Sequence, residues 1–263
     1  MRKQIFSLMI LTAVLVGTAG EASALLFDQN VTPDVIFGTG NANGSFTVDR
    51  SGGVELGLRG KLRHNALGDP ENTFNSNGDG TYSFASGVAP TQPFPTAVWS
   101  FEWTINSNFD GSSGWDLDDL SYALSYDSDP TIGTSFTTFD HINDVNPAAG
   151  AVFWDHAIGD NTTGNGGGVT ATDAANYAAL IGANNVAQQS WKAHWFLSGF
   201  DPTVDATYDF TLSAYDAAGK KVAGTAMQII VGKGADPIPE PSTLLLLCTG
   251  MIAVAGARRR RNH

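Results

Sequence analysis

Oxygen ligands at short spacing are the first chemistry this sequence offers. Trp115-Asp116-Leu117-Asp118-Asp119 is followed by Asp127 and Asp129, and carboxylates so placed can hold Ca²⁺. The run lacks the sixth-position Gly and closing Glu of an EF-hand loop. Asp116, Asp118 and Asp119 therefore read first as solvated loop aspartates and only weakly as Ca²⁺ ligands; no cofactor is expected. The second grouping is His141, Asp144, Asp155 and His156, residue types that bind zinc or move protons. No His-x-Glu-x-x-His frame surrounds them, and His64 and His194 stand alone. The third grouping is aromatic. All six tryptophans fall between residues 99 and 195, and an exposed indole beside Asp or Asn can stack and hydrogen-bond a sugar ring. Trp99/Trp103 and Trp191/Trp195 alternate as core residues do. Trp115 and Trp154 lie in loop-like contexts and are the candidate sugar contacts.

Nucleophile and nucleotide signatures are missing from the sequence. It has no Gly-x-Ser-x-Gly, and the Gly164–Gly168 run has no Lys-Ser/Thr after it. Carboxylate pairs for glycoside hydrolysis are defined by their separation in space. Only Glu55, Glu71 and Glu102 are glutamates between residues 25 and 235.

The elements that would position these groups are mostly strands. Gly, Ser, Thr, Asn and Asp are abundant while Lys and Glu are scarce, which suits short strands joined by turns. Val54–Leu62 alternates with Val54, Leu56, Leu58 and Leu62 on one face, and Val98–Ile105 with Trp99, Phe101, Trp103 and Ile105. Leu120–Tyr126 and Trp191–Leu197 are further strands. Thr207–Tyr215, a turn at Asp216–Gly219 and Lys221–Val231 read as a hairpin, with Gly219 in the left-handed position. One helix is expected at Thr172–Ile181, capped by Thr170 or Thr172. Residues 75–80, 90–95 and 161–168 read as loops, and 235–239 as a linker. The expected architecture is a mainly β, antiparallel β-sandwich of jelly-roll or Ig-like type with one short helical insertion. A signal helix should precede it and a transmembrane helix follow.

Both ends carry targeting chemistry. Arg2 and Lys3 precede an apolar stretch from Ile5 to Val16, and Ala22-Ser23-Ala24 is a small-residue cleavage site for signal peptidase. Residues 1–24 thus read as a signal peptide and 25–235 as a secreted ectodomain. Residues 236–263 hold Pro239-Glu240-Pro241, an apolar helix over 243–257 and Arg258-Arg259-Arg260-Arg261. The prolines enforce an extended entry. The apolar run of about 15 residues would rise roughly 22 Å at 1.5 Å per residue, a short anchor for a bilayer core. The arginines favour the cytoplasmic side and act as a stop-transfer signal. The lone cysteine, Cys248, lies in that helix, so the ectodomain has no disulfide.

This tail resembles the C-terminal sorting signal of PEP-CTERM proteins of Gram-negative bacteria. The resemblance rests on Pro239, Glu240 and Pro241, the apolar helix and the terminal arginines, about a tenth of the chain. It implies recognition by exosortase, a membrane-embedded cysteine-type transpeptidase, with brief anchoring in the inner membrane. Cleavage near Pro239–Pro241 and delivery to the envelope or beyond would follow. Between residues 25 and 235 the chain has eight basic and 23 acidic residues, about −15 in all, which argues against nucleic acid and anionic lipid as partners of the ectodomain. The expectation is a non-enzymatic envelope or matrix protein. A module that binds exopolysaccharide is the alternative, and a secreted polysaccharide hydrolase the third reading.

Overall fold

The computed structural model describes residues 24–144 and 155–235. The signal peptide with Ala22, the sorting tail with its motif and arginines, and Trp154 lie outside the described residues. Among the described residues, no helix is long and apolar enough to cross a membrane.

Two sheets pack face to face. The first has six antiparallel strands in the order β1 (Leu26–Gln29), β2 (Phe46–Ser51), β3 (Val54–Leu62), β5 (Trp99–Asn106), β9 (Val186–Trp191) and β8 (Ala157–Gly159). The second runs β4 (Thr81–Phe84), β11 (Lys221–Val231), β10 (Ala206–Tyr215), β6 (Ser121–Asp127) and β7 (Phe136–Phe139). The order departs from an all-antiparallel sandwich at one place: β4 pairs β11 in parallel, Thr81 opposite Gln228 and Phe84 opposite Val231. Residues 63–98 form a long excursion between β3 and β5, and β4 is the part of it laid against the β11 edge.

The alternation read from sequence builds the core. Leu56, Leu58, Trp99, Phe101, Trp103 and Ile105 are buried from the first sheet, and Leu124, Tyr208, Phe210, Leu212 and Ile229 from the second. Burial of this kind stabilises by about 25 cal/mol per Å² of apolar surface. Gly60 makes the close approach between the layers feasible, because a Cβ there would stand 2.7 Å from the Phe84 ring. The β10–β11 hairpin forms as read, with Gly219 at φ +75° in its turn.

The other face of the first sheet is also covered, contrary to a simple in/out alternation. Residues 31–44 lie across it as a strap. Val31, Val35, Ile36 and Phe37 pack on Phe46, Val48, Ala157 and Val186 in a second small core. Buried polar groups pin the strap. Glu55 accepts from Thr32 N at 2.6 Å, Gln188 accepts from Ile36 N at 2.8 Å, and Asn106 donates to Thr32 O at 2.9 Å. Arg59 donates to the carbonyls of Ala42 and Gly44 at 2.9 and 2.6 Å.

Two local expectations change. The helix is α1 (Ala174–Ile181), and its N-cap is Asp173, whose carboxylate accepts from Asn176 N, rather than Thr170 or Thr172. The strand expected at Trp191–Leu197 does not form: β9 lies before it, at Val186–Trp191, and ends where that segment begins. The chain then folds into a 3₁₀ turn at Ala193–Trp195. Alternation persists through that turn because Ala193 and Leu197 are buried on one side of it. After β11 the chain is tied down to its last described residue. Gly232 N donates to Phe84 O at 2.8 Å, Gly234 N to Val231 O at 3.0 Å, and Ala235 N to Thr207 Oγ1 at 3.0 Å.

Candidate functional site

The histidines expected to offer chemistry are core residues. His141 and His156 are fully buried, and both meet Trp103 edge to face, with centroids 4.4 and 4.9 Å away. Tyr177 Oη donates to the Ile142 carbonyl at 2.9 Å and lies 3.0 Å from His156 Nδ1. A carbonyl only accepts, so Tyr177 spends its proton there and His156 Nδ1 carries its own. Burial pushes the His141 pKa down to about 3. Burial, and then neighbouring His141, hold His156 well below the ordinary value. Both rings are therefore neutral.

Asp155 sits at the rim of this cluster. It accepts from Trp191 Nε1 at 3.2 Å, and its carboxyl is raised by burial. It lies 3.9 Å from His156 Nε2, and with the imidazole neutral this is not an ion pair. The structure thus gathers His141, Asp155 and His156 around Trp103 and Trp191. Both imidazoles are fully buried. Asp144 belongs to the turn after β7, where its N–H donates to Asp140 O at 3.0 Å.

The aspartates build turns. Asp119 accepts from Asp116 N at 2.9 Å and closes the 3₁₀ turn Leu117–Asp119, while Asp118 is exposed. Asp127 accepts from Asp129 N at 3.0 Å and Ser135 N at 2.6 Å. Asp129 accepts from Thr131 N at 2.9 Å. The same Asp-x-Ser/Thr turn recurs at Asp79, Asp110, Asp160 and Asp201, with carboxylate-to-amide distances of 2.8–3.0 Å. Hydrogen bonds from the residue two positions on hold all five carboxyls below the usual range. Among the described residues, no three or more His, Cys, Asp or Glu side chains converge as a metal site.

The glutamates are bound up as well. Glu102, fully buried, accepts from Arg59 Nε at 2.6 Å and lies 3.6 Å from Lys61 Nζ. The Arg59 guanidinium is sandwiched between Phe46 and Phe74, 4.1 and 3.8 Å from their centroids. Lys61 also donates to Asn41 of the strap. Glu55 pairs with Arg50 at 2.6 Å. Glu71 accepts from Asn65 and Thr73.

The tryptophans sort differently from the sequence expectation. Trp99, Trp103 and Trp191 are core. Trp115 is partly buried against the core, and its carbonyl accepts from Ser107 Oγ at 2.8 Å. Trp195, expected in the core, is 52% exposed. It stands at the end of the 3₁₀ turn, where Trp195 N donates to Lys192 O at 3.2 Å.

Trp195 belongs to a cluster of cations and imidazoles not evident from spacing. Arg63 N and His64 N both donate to Val98 O, at 2.8 and 2.9 Å, which brings them beside β5 and one strand from the end of β9. Lys192 Nζ lies 5.9 Å from the Trp195 ring. Burial and then the charge of Arg63 lower the Lys192 ammonium. Burial and then Lys192 lower His194. Burial, and after it Lys192 and Arg63, lower His64 against the bond to Gly68 O that raises it. Among the described residues, neither Arg63 nor Lys192 makes an ion pair. His64 also lines a shallow cleft of about 470 Å³ with Leu62, Glu71, Phe84, Pro90 and Val98. The sequence signal was the Lys192-Ala193-His194-Trp195 run, a basic and aromatic group in a chain poor in cations.

Comparison with known proteins adds one finding. A family model described as the PEP-CTERM protein-sorting motif matches residues 237–261. The chain therefore carries a sorting signal of this class, one that directs a protein to exosortase and to export toward the cell envelope or outside the cell. No curated protein and no solved structure matches the chain.

Proposed function

We propose that this is an envelope or extracellular-matrix protein, not itself a catalyst, made as a precursor and trimmed at both ends. Signal peptidase cuts after Ala24. The helix at 243–257 then holds the chain in the inner membrane, with Arg258–Arg261 as the stop. An exosortase-type transpeptidase recognises Pro239, Glu240 and Pro241 and releases the ectodomain. The observation that carries this reading is the sorting-motif match at residues 237–261. The non-catalytic part is supported by the fate of the titratable groups: Glu55 and Glu102 are held in ion pairs, and His141 and His156 are sealed in the core.

Intact mass of the protein from its host tests the processing. The expected species starts at Leu25 and ends near Pro239–Pro241. Glu240 supplies the motif's one charge, and Glu240→Ala should leave the tail attached. Normal release of that variant would refute the role given to Glu240. A wild-type chain retaining 244–263 would make the protein a plain anchored one.

A further inference from the structure

We propose that the end of the sandwich from which the tail leaves is a lipid-contact face, and that it rests on the zwitterionic surface of the bilayer that the tail enters. This rests on the anchor reading of residues 243–257 and adds which part of the folded domain meets the lipid.

Strand pairing defines that end. Leu62, the last residue of β3, lies opposite Trp99, the first of β5. Val231, the last of β11, lies opposite Ala206 of β10 and Phe84 of β4, and Asp127, the last of β6, opposite Phe136, the first of β7. Trp99 packs on Phe84 and Tyr208 across the layers, so the two sheets share the end. Ala235 is tied down there, on Thr207.

The exposed apolar side chains gather at the same end. Of the ten large hydrophobic residues exposed among the described ones, seven lie in its turns and strand ends. Leu67, 76% exposed, is at the tip of the turn that continues β3, where Asn65 N donates to Asp69 O. Phe94, 63% exposed, is at the tip of the turn that leads into β5, where Ala89 N donates to Thr96 O. The two tips touch, since a Cβ on Gly68 would stand 2.9 Å from Pro90 O. Val204 precedes β10, and Ile132 and Phe136 border the β6–β7 turn, whose Pro130 O accepts from Thr207 N at 3.2 Å. Trp195 stands in the turn after β9, and an indole favours the headgroup level of a bilayer. Exposed hydrophobic residues scattered singly are ordinary; a cluster marks a contact surface. The opposite end, with its turns at 52–53, 107–120 and 216–220, has none of the ten and exposes Asp110, Asp118 and Asp119.

The tether selects the occupant. Thr243, where the apolar run begins, follows eight residues after Ala235, a span of at most about 28 Å. So short a connection holds this end near the lipid at an effective concentration on the order of millimolar. Contacts too weak to hold a free domain then suffice, and cutting the tail would let the domain lift off. Arg63, Lys192 and Lys233 stand at this end against Asp69, Glu71, Asp129, Asp201 and Asp205. That slight acidic excess disfavours anionic lipid and leaves an apolar contact with zwitterionic headgroups. A second copy would bring together two domains of about −15 each, which repel.

The test uses the full chain at one copy per phosphatidylcholine nanodisc. Flotation of the same chain with phosphatidylcholine vesicles reports whether the tail inserts. Amide exchange then compares the turns at 65–69, 90–95 and 131–135 with the far turns at 110–114 and 216–219. Against a Leu67→Asn, Phe94→Asn, Ile132→Asn triple variant, the near turns of the wild type should exchange about tenfold more slowly, with the far turns alike. The variant should melt like the wild type, because all three side chains are exposed. Lipid brominated next to its headgroup should also quench the part of the emission that Trp195→Phe removes. A chain that does not float refutes the anchor reading and this proposal with it. A chain that floats, yet shows no difference between wild type and variant or no quenching of Trp195, overturns the proposal alone. Protection that needs two copies per disc would give the face to a second copy, and overturns it too.

Discussion

The pKa values of this domain's histidines are set mainly by burial. His141 has a folded pKa of about 3, and His156, His64 and His194 are all lowered, mainly by burial. A histidine that protonates in the unfolded chain near 6.5 but not in the native state gives unfolding extra protons to bind as pH falls. Its share of stability is complete above about pH 6.5 and is lost on acidification down to the folded pKa, with a slope of about 1.4 kcal/mol per pH unit for each such group. The melting temperature should therefore fall between pH 6.5 and 5, partly offset by Asp155 and Glu55, whose carboxyls are raised by burial and act on stability in the opposite sense. His141→Phe should flatten that fall, and an unchanged slope would contradict the assignment of His141 as a neutral core ring. The sequence placed these histidines and aspartates in the chain but not in space. Asp-x-Thr is legible as a turn once its hydrogen bond is considered, and Asp129 was thereby removed from any ion site. Trp195 and Trp191 look alike in a period-2 pattern, and only the end of β9 separates an exposed indole from a buried one.

The strap over β2, β3, β5 and β9 is held by a buried charged group as well as by its apolar cluster. Arg59, Glu102 and Lys61 are buried together, and Arg59 and Lys61 both reach the strap, at the carbonyls of Ala42 and Gly44 and at Asn41. Removing one partner of a buried pair leaves a charge uncompensated, at a cost of about 3–5 kcal/mol. Glu102→Ala should destabilise by that amount in urea titration, and should expose residues 38–44 to limited proteolysis well before the rest of the chain. A loss below about 1 kcal/mol, as for a surface ion pair, with the strap still protected, would show that the clamp does not hold it. Strands β3, β5, β10 and β11 were readable because one face of each alternates cleanly. Strands β1, β4, β7 and β8 are three or four residues long, too short to show a period. The strap was unreadable because Glu55, Arg59, Lys61 and Glu102 look like a solvent face until their partners, distant in sequence, are known.

For the molecule as a whole, the proposed processing would change charge as well as length. The full chain carries −12, but six of its 14 basic residues lie at positions 2, 3 and 258–261. The trimmed ectodomain is nearer −15. Isoelectric focusing should therefore show the released form as more acidic than the precursor, and coincident bands would mean that the arginine tail is kept. Such a charge favours solubility outside the cell.

The hydrogen bond from Ala235 N to Thr207 Oγ1 sets a limit on geometry at the membrane. Folded structure persists to Ala235, and the Pro-Glu-Pro begins four residues later, a reach of at most about 14 Å even in a fully drawn-out chain. Under the proposed processing, that is the longest reach available between the sandwich and the bond to be cut. The domain would then meet the bilayer with the Val231 end of β11 turned downward, and an enzyme cutting near Pro239–Pro241 would need open space above its catalytic groove for a docked, already folded domain.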